Sequence, residues 1–351
     1  MPRTKVLLSP KRAGIYASAL LAASLLVMSR PGTTQDVPLI SGGVGFVTST
    51  NAGNTTYIPV ISPLLAAPLG NHILVESRAT ILDSYFPKGG GHSGYTSSSF
   101  LGLSYLQMDY IASSHLTVVA GEFLTPFGTY NERLSPIWIS NFESAPLIFN
   151  LGTMNTGSSV GGMLRGSAIS NDHVWLDYAG YFSAASTNEQ FKSQRASGAR
   201  TSLYFPQARL EVGGSYGRLL EETHENFEGL HLWWQPADAL VKLRSEFAHG
   251  PHSKGYWVES EFHLASASSG MTLRRAIQPV FRWQQTFRSS PDPTDGLPGA
   301  DTKRADFGLD ILFPHEVRIN SSYSRQSSTQ DTNIWQTGIV YRFLFPTWRG
   351  K

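Results

Sequence analysis

Cysteine is absent from the 351 residues, charge is scarce, and no long apolar run occurs beyond the N-terminal segment. Each shortage excludes something. Without thiols there is neither a disulfide framework nor a thiolate metal site, and no cysteine to carry lipid near the N-terminus. Without an internal stretch of about 18 apolar residues, no helix of the mature chain can cross a bilayer. Charged residues are 15% of the chain, against about 25% in an ordinary soluble domain. The 28 basic and 26 acidic residues leave a net charge of +2, which provides no surface for nucleic acid. Polarity therefore comes from Ser, Thr, Asn, Gln and Gly. Disorder is excluded by what is plentiful: hydrophobic residues make up 41% and aromatic residues 12%.

The first 35 residues have the three-part form of a secretory signal: basic Arg3, Lys5, Lys11 and Arg12, then apolar Gly14 to Met28, then polar SRPGTTQ. The expected division is therefore a cleaved segment over 1–35 and a mature domain over 36–351. From Pro38 onward the apolar residues recur with period 2, the spacing of a strand with two unlike faces. In HVWLDYAGYFSA, from His173 to Ala184, Val174, Leu176, Tyr178 and Phe182 share one face and Trp175, Asp177, Ala179 and Tyr181 the other. In Glu316 to Gln326, Val317, Ile319 and Tyr323 oppose Arg318, Asn320 and Ser322. Such segments run to about ten residues, longer than the usual five or six.

Sixteen of these segments can be counted between residues 40 and 345, with 14 to 18 as the range. The second, at 55–62, is cut by Pro59 and Pro63 and is the weakest. Short turns, such as Ser113 to His115 and Pro314-His315, alternate with longer polar connections, such as Lys88 to Thr96 and Arg288 to Thr302. One edge of short turns and one of long loops describes an all-β, antiparallel up-and-down barrel with both termini on the short-turn side. Charged residues on one face of nearly every strand and apolar residues on the other point to a transmembrane barrel with a hydrated lumen. A sheet in hydrocarbon must close, because each unpaired backbone group costs several kcal/mol there. The last strand, NIWQTGIVYRFLF, carries Trp335, Ile339, Tyr341 and Phe343 on one face, a pattern resembling the signal by which outer-membrane barrels are recognised for assembly.

The stretch from Val119 to Leu147 reads VAGEFLTPFGTYNERLSPIWISNFESAPL. Its Gly121, Pro126, Phe127 and Gly128 resemble the G-x-F-x-x-P-F-G segment of the phosphate-selective porin O/P-like family. The resemblance implies a bacterial outer-membrane porin, with no cofactor, giving passive diffusion of small hydrophilic solutes or ions. It also implies a homotrimer surrounded by outer-membrane lipid and lipopolysaccharide and inserted by the barrel assembly machinery. In such porins the third external loop folds inward, here about 127–155, which brings Glu132, Arg133 and Glu143 to the constriction. Strand parity sends Arg78, Arg165, Arg200, Arg209, Lys242, Arg244, Arg282, Arg304 and Arg318 to the lumen wall. Glu76, Asp177, Glu211, Glu246, Glu259, Glu261, Asp306 and Asp310 fall on the same faces, so a small arginine excess predicts a mild anion preference.

Two other function classes stand beside the porin reading: a barrel lipid hydrolase and a secreted β-rich binding protein. Gly213 to Gly217 matches G-x-S-x-G, but it lies in an alternating strand with no helix after it, so Ser215 is expected to be structural. His224 and His231 lack metal-ligand spacing. Asp292, Asp295 and Asp301 lack that of a calcium-binding helical loop, so their segment is expected to be a solvated loop, with weak cation binding as the sharper alternative.

Overall fold

A computed structural model describes residues 38–88, 93–150, 157–188, 193–221, 224–237, 239–264, 276–289 and 300–346. The signal segment expected over 1–35 and most of the Ser290–Asp301 loop lie outside the described residues. Sixteen antiparallel strands follow in order. They are β1 (Leu39–Asn51), β2 (Asn54–Leu69), β3 (Ile73–Pro87), β4 (Tyr95–Ser113), β5 (Leu116–Leu124), β6 (Ser158–Ser170), β7 (Trp175–Ser183) and β8 (Ala196–Phe205). The second half comprises β9 (Leu210–Leu219), β10 (Asn226–Trp234), β11 (Val241–His249), β12 (Ser253–Phe262), β13 (Ile277–Arg288), β14 (Thr302–Phe313), β15 (Val317–Ser327) and β16 (Thr332–Pro346). Each strand pairs with the next, and β16 pairs with β1 from Leu39↔Pro346 to Asn51↔Ile334. The sheet is closed, so no row of backbone donors and acceptors is left at an edge.

Alternation decides which side chain faces which way. On β10, Leu230 is 63% exposed on the outside while its neighbour His231 is 4% exposed inside. On β14, Phe307 and Leu309 point out, and Arg304, Asp306 and Asp310 are buried within. Large apolar side chains remain exposed all round the outer wall, among them Phe46, Leu106, Leu164, Phe182, Leu203, Val258, Trp335 and Ile339. The principal buried apolar cluster of the described residues is inside the barrel instead. There Val119, Phe123, Met163, Tyr181 and Trp257 of the wall pack against Phe127, Tyr130, Leu134 and Ile148 of the connection after β5.

The structure extends the second strand beyond the sequence expectation, to Leu69. Its ladder to β1 is unbroken, whereas its ladder to β3 skips Ile58, Pro59, Ser62 and Pro63. Proline has no N–H to give, and two prolines four residues apart withhold their donors from the same neighbour, so the strand survives with its losses confined to one side. The start of β1 and the end of β16 lie on the short-turn rim, with turns at 70–72, 114–115, 171–174, 206–209 and 314–316. Two connections depart from the expected asymmetry. The β1–β2 hairpin on the long-loop rim has only Ala52 and Gly53 between its strands, with φ of 48° and 80° as a tight hairpin turn requires. The connection 263–276 on the short-turn rim is long.

Candidate constriction in the barrel lumen

The connection after β5 is the third on the long-loop rim and lies against the inner wall. It enters by a sharp elbow at Pro126-Phe127-Gly128. Gly128 has φ of 62°, and a Cβ there would overlap Glu246 Oε1 of β11. The position therefore needs glycine twice, for its left-handed backbone and for the approach of the carboxylate. The Gly128 N–H donates to Ser215 Oγ at 3.0 Å, and its carbonyl accepts from Arg200 Nη1 at 2.9 Å. The next two amides, of Thr129 and Tyr130, both donate to Glu246 Oε2 at 3.2 Å. Phe127 is 2% exposed and fills the space above Gly229 of β10. Gly121, with φ of 120°, sits against the Leu106 carbonyl of β4. The four motif residues thus turn the chain inward and seat it.

A single π-turn over Tyr130–Leu134 follows, closed by Ser135 N–H to Tyr130 O at 2.9 Å. Beyond it the loop crosses to the far wall. Arg78 of β3 donates to Ser135 Oγ at 3.2 Å, and Arg318 of β15 holds the carbonyls of Ile137 and Ser140 at 2.8 and 2.5 Å. Asn141 Nδ2 donates to Glu259 Oε1 and Glu261 Oε2 of β12 at 3.0 and 3.3 Å. Arg282 of β13 donates to the Ser144 carbonyl at 2.9 Å, and Leu147 N–H to Gln284 Oε1 at 2.7 Å. Large loop side chains settle where the wall has glycine: Trp138 over Gly43, Ile137 over Gly45, Phe142 over Gly308, Glu143 over Gly338 and Ile148 over Gly255. The result is a strap fastened at both sides of the lumen.

The three loop charges expected at the constriction are all engaged with the wall. Glu132 pairs with Arg200. Arg133 bridges to Glu211 Oε2 at 2.6 Å, keeps 35% of its side chain exposed, and lies 5.8 Å from the ring of Trp233. Glu143 is seated over Gly338, where burial pushes its carboxyl up to about 7, with the nearby Arg318 charge pulling the other way.

Most of the wall cations are likewise paired with carboxylates. Arg165 meets Asp109, Lys242 meets Glu261 at 3.2 Å, and Arg244 Nε meets Glu259 Oε1 at 2.8 Å. Arg282 and Arg304 share Asp306, at 2.8 and 2.6 Å, and all three are buried. Arg78 lies 5.3 Å from the Tyr105 ring. Arg209 differs from expectation in position: it belongs to the 206–209 turn, with φ of 47°, and not to β9. It lines, with Arg133, Tyr204, Glu211, Trp233 and Gln235, a cavity of about 380 Å³ near the short-turn rim.

Sequence reasoning did not reach several of these contacts. Asp109 and Glu122 add buried acids to the inner face. The glycine seats had a visible signal, glycine at inward positions of otherwise bulky strands, but nothing local says what fills them. Ser215 is buried in β9 with its oxygen taken by the Gly128 amide. His231 lies 3.3 Å from Ser202 and 3.4 Å from Glu211, but through the same nitrogen, Nε2. A catalytic relay uses the two ring nitrogens for its two partners. Among the described residues no group of three or more His, Asp and Glu side chains is placed to hold a metal.

No protein-family model matches the chain, and no curated protein matches it. Solved structures do. Outer-membrane expressed OmpT of Vibrio cholerae superposes with a TM-score of 0.57 at 8% identity, over 88% of this chain and 99% of that one. Low-pH OprB of Pseudomonas putida gives 0.56 at 10% identity, over 98% and 100%. The anion-selective porin from Comamonas acidovorans gives 0.52 at 10%, over 88% and 98%. At such identities the likeness is one of fold, and the chain shares its closed barrel with these outer-membrane proteins.

Proposed function

We propose that the protein is a Gram-negative outer-membrane porin through which small hydrophilic solutes and ions diffuse passively, in the manner implied by its resemblance to the phosphate-selective porin O/P-like family. The observation that carries this reading is the third loop, fastened across the lumen of a closed barrel by charged groups on β8, β9, β11, β12, β13 and β15. A barrel that served only as an anchor or a binding surface has no use for such a strap. Glu132, Arg133 and Glu143 shape the narrowing, and the arginine-bearing wall holds them in place. The protein reaches the outer membrane after export with a cleaved signal over 1–35, and a homotrimer is the proposed assembly; OmpT of Vibrio cholerae has been solved in a trimer form.

The apolar outer wall supports contact with lipid. Leu230→Arg is expected to destabilise the inserted barrel by about 2–4 kcal/mol if the residue lies near the bilayer midplane. Denaturant unfolding in lipid vesicles measures this, and a change near zero would place β10 outside hydrocarbon.

We infer a weak anion preference, carried by Arg209 at the cavity near the short-turn rim, because most other lumen cations, Arg133 of the same cavity included, are matched by a carboxylate. Reconstitution in planar bilayers under a KCl gradient tests both statements. Channel conductance with a small reversal potential of anion-selective sign is expected, moving toward zero in Arg209→Ala. Absence of conductance would reject the porin reading, and a cation-selective sign would reject the preference alone.

A further inference from the structure

Under the far end of the strap, neighbouring inward positions of the wall carry buried oxygen atoms without a hydrogen-bond partner. Asp310 on β14 pairs laterally with Asn320 on β15, and Asn320 with Gly338 on β16. Ser322 and Gln336, also laterally paired, form the adjoining row. All face the lumen, and the Glu143 carboxylate of the loop occupies the space that Gly338 leaves open. Asp310 is 1% exposed, Asn320 2% and Ser322 4%. Both carboxylate oxygens of Asp310, Glu143 Oε1, Asn320 Oδ1, Ser322 Oγ and Gln336 Oε1 are buried without a hydrogen-bond partner.

The two amides show that this is an arrangement and not a gap in packing. Asn320 spends its N–H on the Asn141 carbonyl and Gln336 on Ser49 Oγ, each at 3.4 Å, so that both carbonyl oxygens are left for the cluster. The guanidinium of Arg318 stands beside the row, with its Nη2 committed to the loop carbonyls of Ile137 and Ser140 and its buried Nε without a hydrogen-bond partner. It offsets part of the charge, while Glu259 and Glu261 add to the negative field at Asp310. Two carboxylates, two amide oxygens and a hydroxyl, buried together, disfavour one another unless protons or a cation sit among them, and a cation serves all five groups at once. The atoms are all oxygen and there is no sulfur or imidazole, which selects a hard ion. Calcium takes about six to eight such oxygens in flexible geometry, a number this set reaches with both carboxylates bidentate.

We propose that a calcium ion held by Glu143, Asp310, Asn320, Ser322 and Gln336 clamps the third loop to β14, β15 and β16. The ion joins loop to wall at the side of the lumen opposite the Gly128 elbow, so the strap is held at both ends. The proposal rests on the loop's position and is independent of which solute passes.

The test uses full-length protein refolded in detergent free of lipopolysaccharide, stripped with a chelator and titrated calorimetrically with calcium chloride. One calcium per chain is expected in wild type, with a higher thermal midpoint in its presence. Asp310→Asn and Glu143→Gln, which keep size and remove one charge each, are expected to bind at least tenfold more weakly and to lose the midpoint shift. Heat-modifiable migration on gels reports folding. Glu143 lies outside the strands, so its variant carries the test if Asp310→Asn does not fold. The proposal fails if wild type binds no calcium, or if folded variants bind it as wild type does.

Discussion

Arg282→Ala is expected to destabilise the protein by about 2–4 kcal/mol, because it removes charge-assisted hydrogen bonds, each worth about 1.5–3 kcal/mol, from groups that cannot reach water. Arg282 is fully buried. Its Nε donates to Asp306 at 2.8 Å, its Nη2 to the Ser144 carbonyl at 2.9 Å, its Nη1 lies 3.8 Å from Glu259, and its guanidinium lies 4.5 Å from the Phe142 ring. One planar group thus ties β12, β13 and β14 to the loop. After truncation Asp306 keeps Arg304, at 2.6 Å, and Arg304 still reaches the Ser144 hydroxyl, but the Ser144 carbonyl loses its donor and the Phe142 ring its cation. The barrel ladder does not depend on this residue, so the loss is expected first in the loop, as a larger and noisier single-channel conductance. It should then appear as a lower denaturant midpoint. Arg282→Lys should recover only part of either, since a point charge cannot reach Asp306, Glu259 and the Ser144 carbonyl together. A midpoint within about 0.5 kcal/mol of wild type, the range of an ordinary surface substitution, would show that the buried charge network does not hold the strap.

The second large effect is expected at the elbow. Gly128→Val places a β-branched residue at φ of 62° and drives its side chain into Glu246. The backbone conformation alone costs about 1–2 kcal/mol for a residue with a Cβ. Displacing Glu246 also removes the acceptor of the Thr129 and Tyr130 amides, each bond to a charged group being worth about 1.5–3 kcal/mol. The first turn of the loop should detach while the strands remain paired, giving faster uptake of larger sugars in liposome swelling. Gly180→Ala is the matching control. A Cβ at Gly180 meets nothing within 4 Å, and its φ lies outside the left-handed range. That variant should behave as wild type. If Gly128→Val also swells liposomes at the wild-type rate, the motif glycine does not set the constriction.

The two variants divide the motif's meaning. A resemblance at Gly121, Pro126, Phe127 and Gly128 points to a porin-like segment, but the contacts state what each residue does there. Pro126 and Phe127 bring the chain off β5, Gly128 admits the Glu246 carboxylate, and Arg200 secures both the Gly128 carbonyl and Glu132. Glu246 was visible in the sequence only as one more inward carboxylate. That it is the seat of the elbow required knowing that β11 faces the start of the loop across the lumen.

The strands and their number were legible in the sequence, whereas the buried acids Asp109 and Glu122 and the turn position of Arg209 were not. A closed sheet between an apolar and an aqueous side imposes a period of two on consecutive residues, and that period survives single prolines such as Pro59, whose cost falls on one ladder only. That β1 begins and β16 ends on the same rim followed from an even strand count. What remained illegible were the partners. Arginine on a lumen face reads as free positive charge, yet Arg165, Arg200, Arg244, Arg282 and Arg304 each meet a carboxylate. Thr129 and Glu246 are 117 positions apart, Ser144 and Arg282 138, and Ile137 and Arg318 181. Periodicity is a property of neighbours along one strand and determined the wall. The strap, its glycine seats and the neutralisation of the lumen charges depend on pairs that meet only after the barrel has closed, and the tertiary structure alone decided them.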